Sequence, residues 1–142
     1  MKFRYHKLDL NPKSDFFGKT ILKPIIPIKI SKAGIELQYG ALIDSGADLC
    51  ILDAQIGDYL GINVKTGMEV PFGGIQNLGG AKAYIHTVTL NIGGLEFRTE
   101  VGFSDDISKN GYGILGQKGF FDKFLVKFDL KNEDIELKPR IL

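Results

Sequence analysis

The chain has 142 residues, of which 44% are hydrophobic, and this size and composition fit a single domain around one core. Its 18 lysines and arginines nearly balance 17 aspartates and glutamates, so the net charge of +1 does not indicate a binder of polyanions. We therefore predict one domain spanning residues 1–142 and no nucleic-acid partner.

Basic residues are concentrated at the start of the chain. Residues 1–32 hold eight lysines and arginines against only Asp9 and Asp15. We interpret residues 1–20 as a basic N-terminal arm whose lysines lie on solvated edge strands and discourage edge-to-edge pairing, in preference to an RNA or membrane contact. The arm is assigned no ligand, and a place for it in a dimer interface is left open.

The single cysteine, Cys50, excludes an internal disulfide and is typical of a protein in a reducing compartment. The sequence contains no apolar run long enough for a signal peptide or a membrane-spanning helix. These features predict a cytoplasmic protein without a membrane partner.

Short β-prone runs separated by Gly, Asn and Asp predict strands along most of the chain. These runs are 25–30, 35–43, 83–92, 95–103 and 125–137. Glycines predict a hairpin tip at 91–95, and polar residues predict a second tip at 131–134. Two segments, 53–60 with Asp53 as its cap and 117–124, are predicted to be short helices. The pattern predicts an all-β fold with one or two short helices.

Residues 71–80 contain four glycines in ten positions. A phosphate-binding loop is not indicated, because no Lys-Ser/Thr pair follows. We interpret this stretch as a mobile hairpin tip.

The motif that carries chemistry is Asp44-Ser45-Gly46, which directly follows the apolar run 41–43. A strand that ends in a tight turn there would display a carboxylate, although the tripeptide alone is usually a surface turn. Near the end of the chain, Ile114-Leu115-Gly116 has an apolar pair before a glycine, which allows it to pass close beneath a carboxylate loop.

These motifs, in this order and spacing, resemble the retropepsin family, the single-domain dimeric aspartic peptidases of retroviral type. The similarity covers roughly residues 21–137 and implies a closed-barrel-like acid protease fold. By this resemblance, Asp44 is the catalytic aspartate, the Ser45 hydroxyl cross-links the two active-site loops, and the Gly46 carbonyl meets the substrate backbone.

The resemblance also implies a set of substrate-binding positions. Ala47 and Asp48 would continue the backbone contact, and residues 73–80 would be the flap that closes over the peptide. The predicted substrate-binding residues are Ala47, Asp48, Leu49, Ile51, Gly73, Gly74, Ile75, Gly79, Gly80 and Ile114.

The chemistry of peptide hydrolysis by two carboxyls independently requires a second copy of the chain. One carboxylate takes a proton from water while its protonated neighbour donates one to the scissile carbonyl. Only one Asp-Ser/Thr-Gly occurs among the eleven aspartates, so the second carboxyl must come from a twofold partner. The sequence therefore predicts a homodimeric aspartic endopeptidase acting on peptide or protein substrates.

One departure from the family pattern and one rival interpretation remain. Retroviral members usually carry Arg after the Ile-Leu-Gly glycine to pair with the aspartate at position 48, whereas this chain has Gln117; Arg4 is a candidate substitute.

His6 and His86 lack neighbours at ligand spacing, so we predict no metal and no cofactor. The alternative function is a non-catalytic peptide-binding or dimerisation module that retains the fold.

Overall fold

The computed structural model describes residues 1–73 and 80–140, and strands dominate this part of the chain. In chain order the strands are β1 (Lys2–Arg4), β2 (His6–Ser14), β3 (Gly18–Lys23), β4 (Ile25–Lys32), β5 (Ile35–Ile43), β6 (Ile51–Asp53), β7 (Met68–Pro71), β8 (Lys82–Ile92), β9 (Leu95–Ser104), β10 (Gly113–Leu115), β11 (Phe124–Asp129) and β12 (Asp134–Pro139). One α-helix, α1 (Ala54–Tyr59), and two 3-10 helices, Val64–Thr66 and Asp105–Asn110, complete the described elements.

Six of the strands close into a barrel. The neighbours run β4, β5, β10, β6, β9 and β8, and β8 pairs back onto β4, so this ring has no free edge. Strand β7 extends from β8 outside the ring. The predicted all-β, closed-barrel architecture with few short helices is thus confirmed.

The barrel forms because its strands alternate apolar and polar residues with period two. On β4, Ile26, Ile28 and Ile30 are fully or almost fully buried, while the residues between them face outward. Ile30 is paired in register with the buried Leu90 of β8, which joins the two ends of the sheet. The inward rows form the main core, and burial of these large side chains is the principal term that stabilises the fold.

The predicted local elements have mixed outcomes. The tip after β8 is confirmed, since Gly93 and Gly94 both adopt positive φ between β8 and β9. The helix capped by Asp53 is confirmed as α1, whose first turn is capped when Gln55 N–H donates to the Asp53 carboxylate at 3.0 Å. The second predicted hairpin tip, at 131–134, is also confirmed, because β11 and β12 form a hairpin around it.

The predicted helix at 117–124 is wrong. These residues form a series of turns, because Gly119 has a φ of +101° and interrupts helical geometry. The amides of Phe121 and Asp122 donate to carbonyls five residues back, at Gly116 and Gln117, instead of four. The segment therefore forms compact turns that bury Phe120 in the core.

The basic N-terminal arm forms two separate structures. Strand β1 pairs antiparallel with β12, so that β1, β12 and β11 make a three-stranded sheet, whereas β2 and β3 form a two-stranded hairpin of their own. Within the chain, Arg4 donates to the Asp134 carboxylate at 2.9 Å, and its suggested role as a substitute that pairs with Asp48 stays a prediction.

Candidate active site

The Asp44 loop begins where β5 leaves the barrel. Strand β10 runs parallel to β5 with Ile114 beside Leu42 and Leu115 beside Ile43. The ladder continues one step further, because Asp44 N–H donates to the Leu115 carbonyl at 3.0 Å. The expected passage of the Ile-Leu-Gly segment beneath the loop is thereby confirmed, and Asp44 is fixed at the end of a buried strand pair.

Hydrogen bonds inside the loop orient the carboxylate. Gly46 N–H donates to Asp44 Oδ1 at 2.9 Å, and Ala47 N–H donates to the Asp44 carbonyl at 3.1 Å. The turn presents Asp44 half-buried, while Ser45 and Gly46 are exposed. Because its own loop already holds the carboxylate in one orientation, little further conformational entropy is lost when it acts on a ligand.

The segment after Gly116 holds the loop from the other side. The amides of Gln117 and Lys118 donate to the carbonyls of Ala47 and Asp48 at 2.8 and 2.9 Å. The Gln117 side chain also donates through Nε2 to the Ser45 carbonyl at 2.8 Å. Gln117 therefore ties the loop within one copy of the chain, by a neutral hydrogen bond where an arginine would form an ion pair.

Gly116 is required for this close approach. A Cβ placed on Gly116 would collide with the Leu49 carbonyl oxygen and lie 2.7 Å from the Ala47 carbonyl oxygen. Both obstacles are backbone atoms of the Asp44 loop, so a side chain at this position would displace the loop itself.

Cys50 lies beneath the loop as a buried thiol. Burial raises its pKa from the usual 9.0 to about 12, an effect opposed in part by the Gly116 N–H, which lies 3.4 Å from the sulfur. Because the folded pKa exceeds the unfolded value, the contribution of the protonated thiol to stability is fully present below about pH 9 and is lost as the pH rises toward 12. The interpretation of Cys50 as a buried small hydrophobe is supported.

We expect Cys50 to resist thiol reagents in the native protein, because the attacking thiolate is both scarce and enclosed. Native protein at about pH 8 should react with an aromatic disulfide reagent only as fast as it unfolds. The same sample in urea should react at once with one equivalent. Rapid stoichiometric reaction without denaturant would show that the thiol is accessible.

A cavity of about 180 Å³ opens beside the carboxylate of Asp44. The residues around it come from the Asp44 loop, β6, β10 and the segment after β7. They are Asp44, Gly46, Ala47, Asp48, Leu49, Ile51, Phe72, Gly73 and Ile114. The structure thus brings eight of the predicted site residues together around one cavity.

The remaining predicted residues are placed differently. Ser45 is exposed and does not line the cavity, and Gly80, with a φ of +64°, also lies outside the lining. Gly74, Ile75 and Gly79 lie outside the described residues. Phe72 was missed by sequence reasoning, although its position directly before the glycine-rich stretch was a usable signal.

The apolar walls of the cavity belong to a small second core. Leu49, Phe72 and Ile114 pack with Val70 against the buried Ile51 and two neighbours, apart from the main core. A second cavity of about 280 Å³ continues on the far side of Asp48 and Leu49 and is lined largely by apolar side chains, Met68, Val70 and Ile85 among them. The candidate site is therefore a largely apolar cavity whose lining includes the oriented carboxylate of Asp44.

Other kinds of site find no support in the described residues. Within 1–73 and 80–140 there is no group of three or more His, Cys, Asp and Glu side chains placed to hold a metal ion. His86 lies near the Val64 carbonyl, with Nε2 and the oxygen 2.7 Å apart, and is occupied in the fold. No helix in the same residues is long and apolar enough to cross a membrane.

Comparison with known proteins gives structural neighbours only. No protein-family model and no curated protein sequence matches the chain. A retropepsin-like aspartic protease from Rickettsia conorii is similar with a TM-score of 0.53 and 16% identity, over 96% of this chain and 92% of that one.

Two further structures are more distant. The retroviral protease-like domain of Ddi1 from Leishmania major gives a TM-score of 0.49 at 18% identity, over 82% of this chain and 94% of that domain. The EIAV protease complexed with the inhibitor HBY-793 gives 0.46 at 23% identity, over 67% and 82%. The closed barrel and the near-complete alignment with the Rickettsia protein lead to one conclusion: this chain has the retropepsin-like aspartic protease fold.

Proposed function

We propose that the chain is an aspartic endopeptidase that acts as a homodimer, with Asp44 of each copy in one active site. The observation that carries the proposal is the Asp44 loop. It holds the Asp44 carboxylate in a fixed orientation in the lining of a largely apolar cavity, on a fold shared with a retropepsin-like aspartic protease. Ser45 and Gly46 complete the catalytic loop in this proposal.

The chemistry explains why one copy is not enough. Hydrolysis without a covalent intermediate needs a carboxylate to take a proton from water and a protonated carboxyl to donate one to the scissile carbonyl. The chain has a single Asp-Ser/Thr-Gly, so a symmetric dimer supplies the second carboxyl. Two carboxyls in contact share one proton, because two negative charges at that distance repel strongly.

The lining of the cavity favours apolar side chains next to the cleaved bond. Leu49, Ile51, Phe72 and Ile114 offer hydrocarbon surface, and a matching peptide side chain gains free energy by leaving water there. Ala47 and Asp48 follow the catalytic loop and are proposed to contact the peptide backbone. The substrate class is accordingly a peptide or protein segment with apolar residues on either side of the scissile bond.

A subunit-mixing experiment tests both halves of the proposal. Wild type would be mixed with Asp44→Asn protein under conditions that allow subunit exchange, and cleavage of a peptide library would be followed by mass spectrometry. If every active site needs one Asp44 from each copy, activity falls as the square of the wild-type fraction, to about one quarter in an equal mixture.

The controls identify how the proposal would fail. A fall no steeper than linear with the wild-type fraction, with exchange verified by labelled subunits, would mean that a single Asp44 suffices and would refute the shared site. No cleavage by wild type, combined with retained peptide binding, would favour the alternative, a non-catalytic binding module. Unmixed samples of each protein provide the reference rates.

A further inference from the structure

The hairpin formed by β2 and β3 ends in two exposed aromatic side chains. Phe16 is 87% exposed and Phe17 is 56% exposed, and their rings meet edge to face with centroids 4.8 Å apart. Water around so much aromatic surface carries a free-energy cost that the fold does not relieve. This hairpin tip is the most exposed aromatic feature in the described part of the chain.

The tip is held in place by its own backbone. The Ser14 hydroxyl accepts hydrogen bonds from Phe16 N–H at 3.2 Å and Phe17 N–H at 3.0 Å. Gly18 then turns the chain back with a φ of +81°. Because the turn is ordered before any contact, binding through it loses little conformational entropy.

Charge around the tip favours an anionic surface. Lys13 and Lys19 flank the two phenylalanines and outnumber Asp15, which directly precedes Phe16, and residues 6–23 together hold four lysines against two aspartates. A basic rim around inserted aromatic side chains is the pattern of segments that bind the interface of anionic bilayers.

The size and shape of the tip distinguish a bilayer from a protein partner. Two phenylalanine side chains together can bury roughly 300–500 Å², which is below the roughly 800 Å² per partner of a stable protein interface. The hairpin forms a two-stranded sheet of its own, so its tip is only two strands wide and offers no broad face. A bilayer needs no complementary shape to receive such a tip.

We propose that the β2–β3 hairpin is a membrane-docking element that inserts Phe16 and Phe17 into the headgroup–acyl boundary of an anionic lipid bilayer, with Lys13 and Lys19 at the headgroups. The proposal departs from the sequence expectation, which gave the arm no ligand. Lysine spacing alone does not reveal the paired aromatic tip. The membrane-docking proposal is independent of the peptidase proposal, because none of these hairpin residues lines the Asp44 cavity.

Sedimentation with lipid vesicles tests the proposal on the full chain. Wild type should pellet with vesicles made of equal parts phosphatidylcholine and phosphatidylserine, and much less with phosphatidylcholine alone. Phe16→Ser with Phe17→Ser should weaken this binding at least about tenfold, since binding strength scales with the apolar area inserted. Added salt and Lys13→Gln with Lys19→Gln should each weaken it further.

A matched control is available on the other hairpin. Phe128 and Leu130, near the turn between β11 and β12, are 43% and 60% exposed, and changing both to Ser should leave vesicle binding unchanged. Equal urea midpoints would show that all variants are folded. The proposal is overturned if wild type does not pellet with anionic vesicles, or if the Phe16 and Phe17 double variant binds like wild type. It is also overturned if the tip mediates only self-association. In that case sedimentation without lipid would show association of the wild type and none of the Phe16 and Phe17 double variant.

Discussion

Replacement of Asp44 by asparagine is expected to lower peptide cleavage by at least about 10³-fold and to leave the fold and the proposed dimer largely intact. Asparagine has the shape of aspartate, and its side-chain oxygen can still accept the 2.9 Å bond from Gly46 N–H. It cannot take a proton from water, and the change removes both carboxyls of the proposed pair at once. Steady-state kinetics on a mapped peptide, with urea unfolding of the same samples, measures both effects.

The neighbouring Asp48 provides the matched comparison. Asp48 is exposed, lines the same cavity and lies four residues further along the loop. In our proposal it contacts the substrate backbone without exchanging protons, so Asp48→Asn should raise KM while changing kcat little. If Asp44→Asn cleaves near the wild-type rate, with contaminating peptidase excluded, the mechanism is wrong even though the fold is established.

The strand pattern of the barrel could be predicted because it depends on local alternation. Isoleucines every second residue in β4 and the glycines between β8 and β9 determine strands and a turn without reference to distant residues. The adjacency of the Asp44 loop and Ile114 could also be anticipated, since a strand end and a small residue after an apolar pair fit together. The hydrogen bonds and distances that join these motifs could be obtained only from the structure.

Prediction from sequence failed or ended where long-range contacts or backbone geometry decide the outcome. Apolar spacing in 117–124 suggests a helix, but the positive φ of Gly119 and hydrogen bonds back to Gly116 and Gln117 favour turns. The pairing of β1 with β12 joins residues more than a hundred positions apart, and Arg4 finds Asp134 only because of it. No local pattern predicts such a partner.

The β2–β3 hairpin shows a different limit of prediction from sequence, which concerns side-chain exposure. Ser14 and Gly18 were usable turn signals on either side of the two phenylalanines, so the turn itself was within reach of sequence reasoning. The exposure of Phe16 could not be predicted in this way. Large aromatic residues are usually buried, and the sequence does not state which face of a hairpin meets the barrel.

Replacement of Gly116 by alanine is expected to destabilise the protein by about 3 kcal/mol and to abolish most activity. The added methyl would collide with the Leu49 carbonyl and lie 2.7 Å from the Ala47 carbonyl, and neither backbone atom can move without moving the Asp44 loop. That shift strains the bonds from Gln117 and Lys118 that hold the loop. Urea unfolding at equilibrium, together with kinetics on the folded fraction, separates the loss of stability from the loss of activity.

Gly40 supplies the control for adding a methyl group next to the same strand pair. It lies in β5, four residues before Asp44, and a Cβ there meets only the Ile25 Cγ2 methyl at 3.2 Å. A side-chain methyl can move aside, and alanine restricts the unfolded chain more than glycine does, so Gly40→Ala should change stability by less than about 1 kcal/mol. If Gly116→Ala proved as stable and active as Gly40→Ala, the close approach beneath the loop would not be what positions Asp44. The cause of its orientation would then lie within residues 44–47 alone, where the Gly46 N–H bond to the carboxylate would have to suffice.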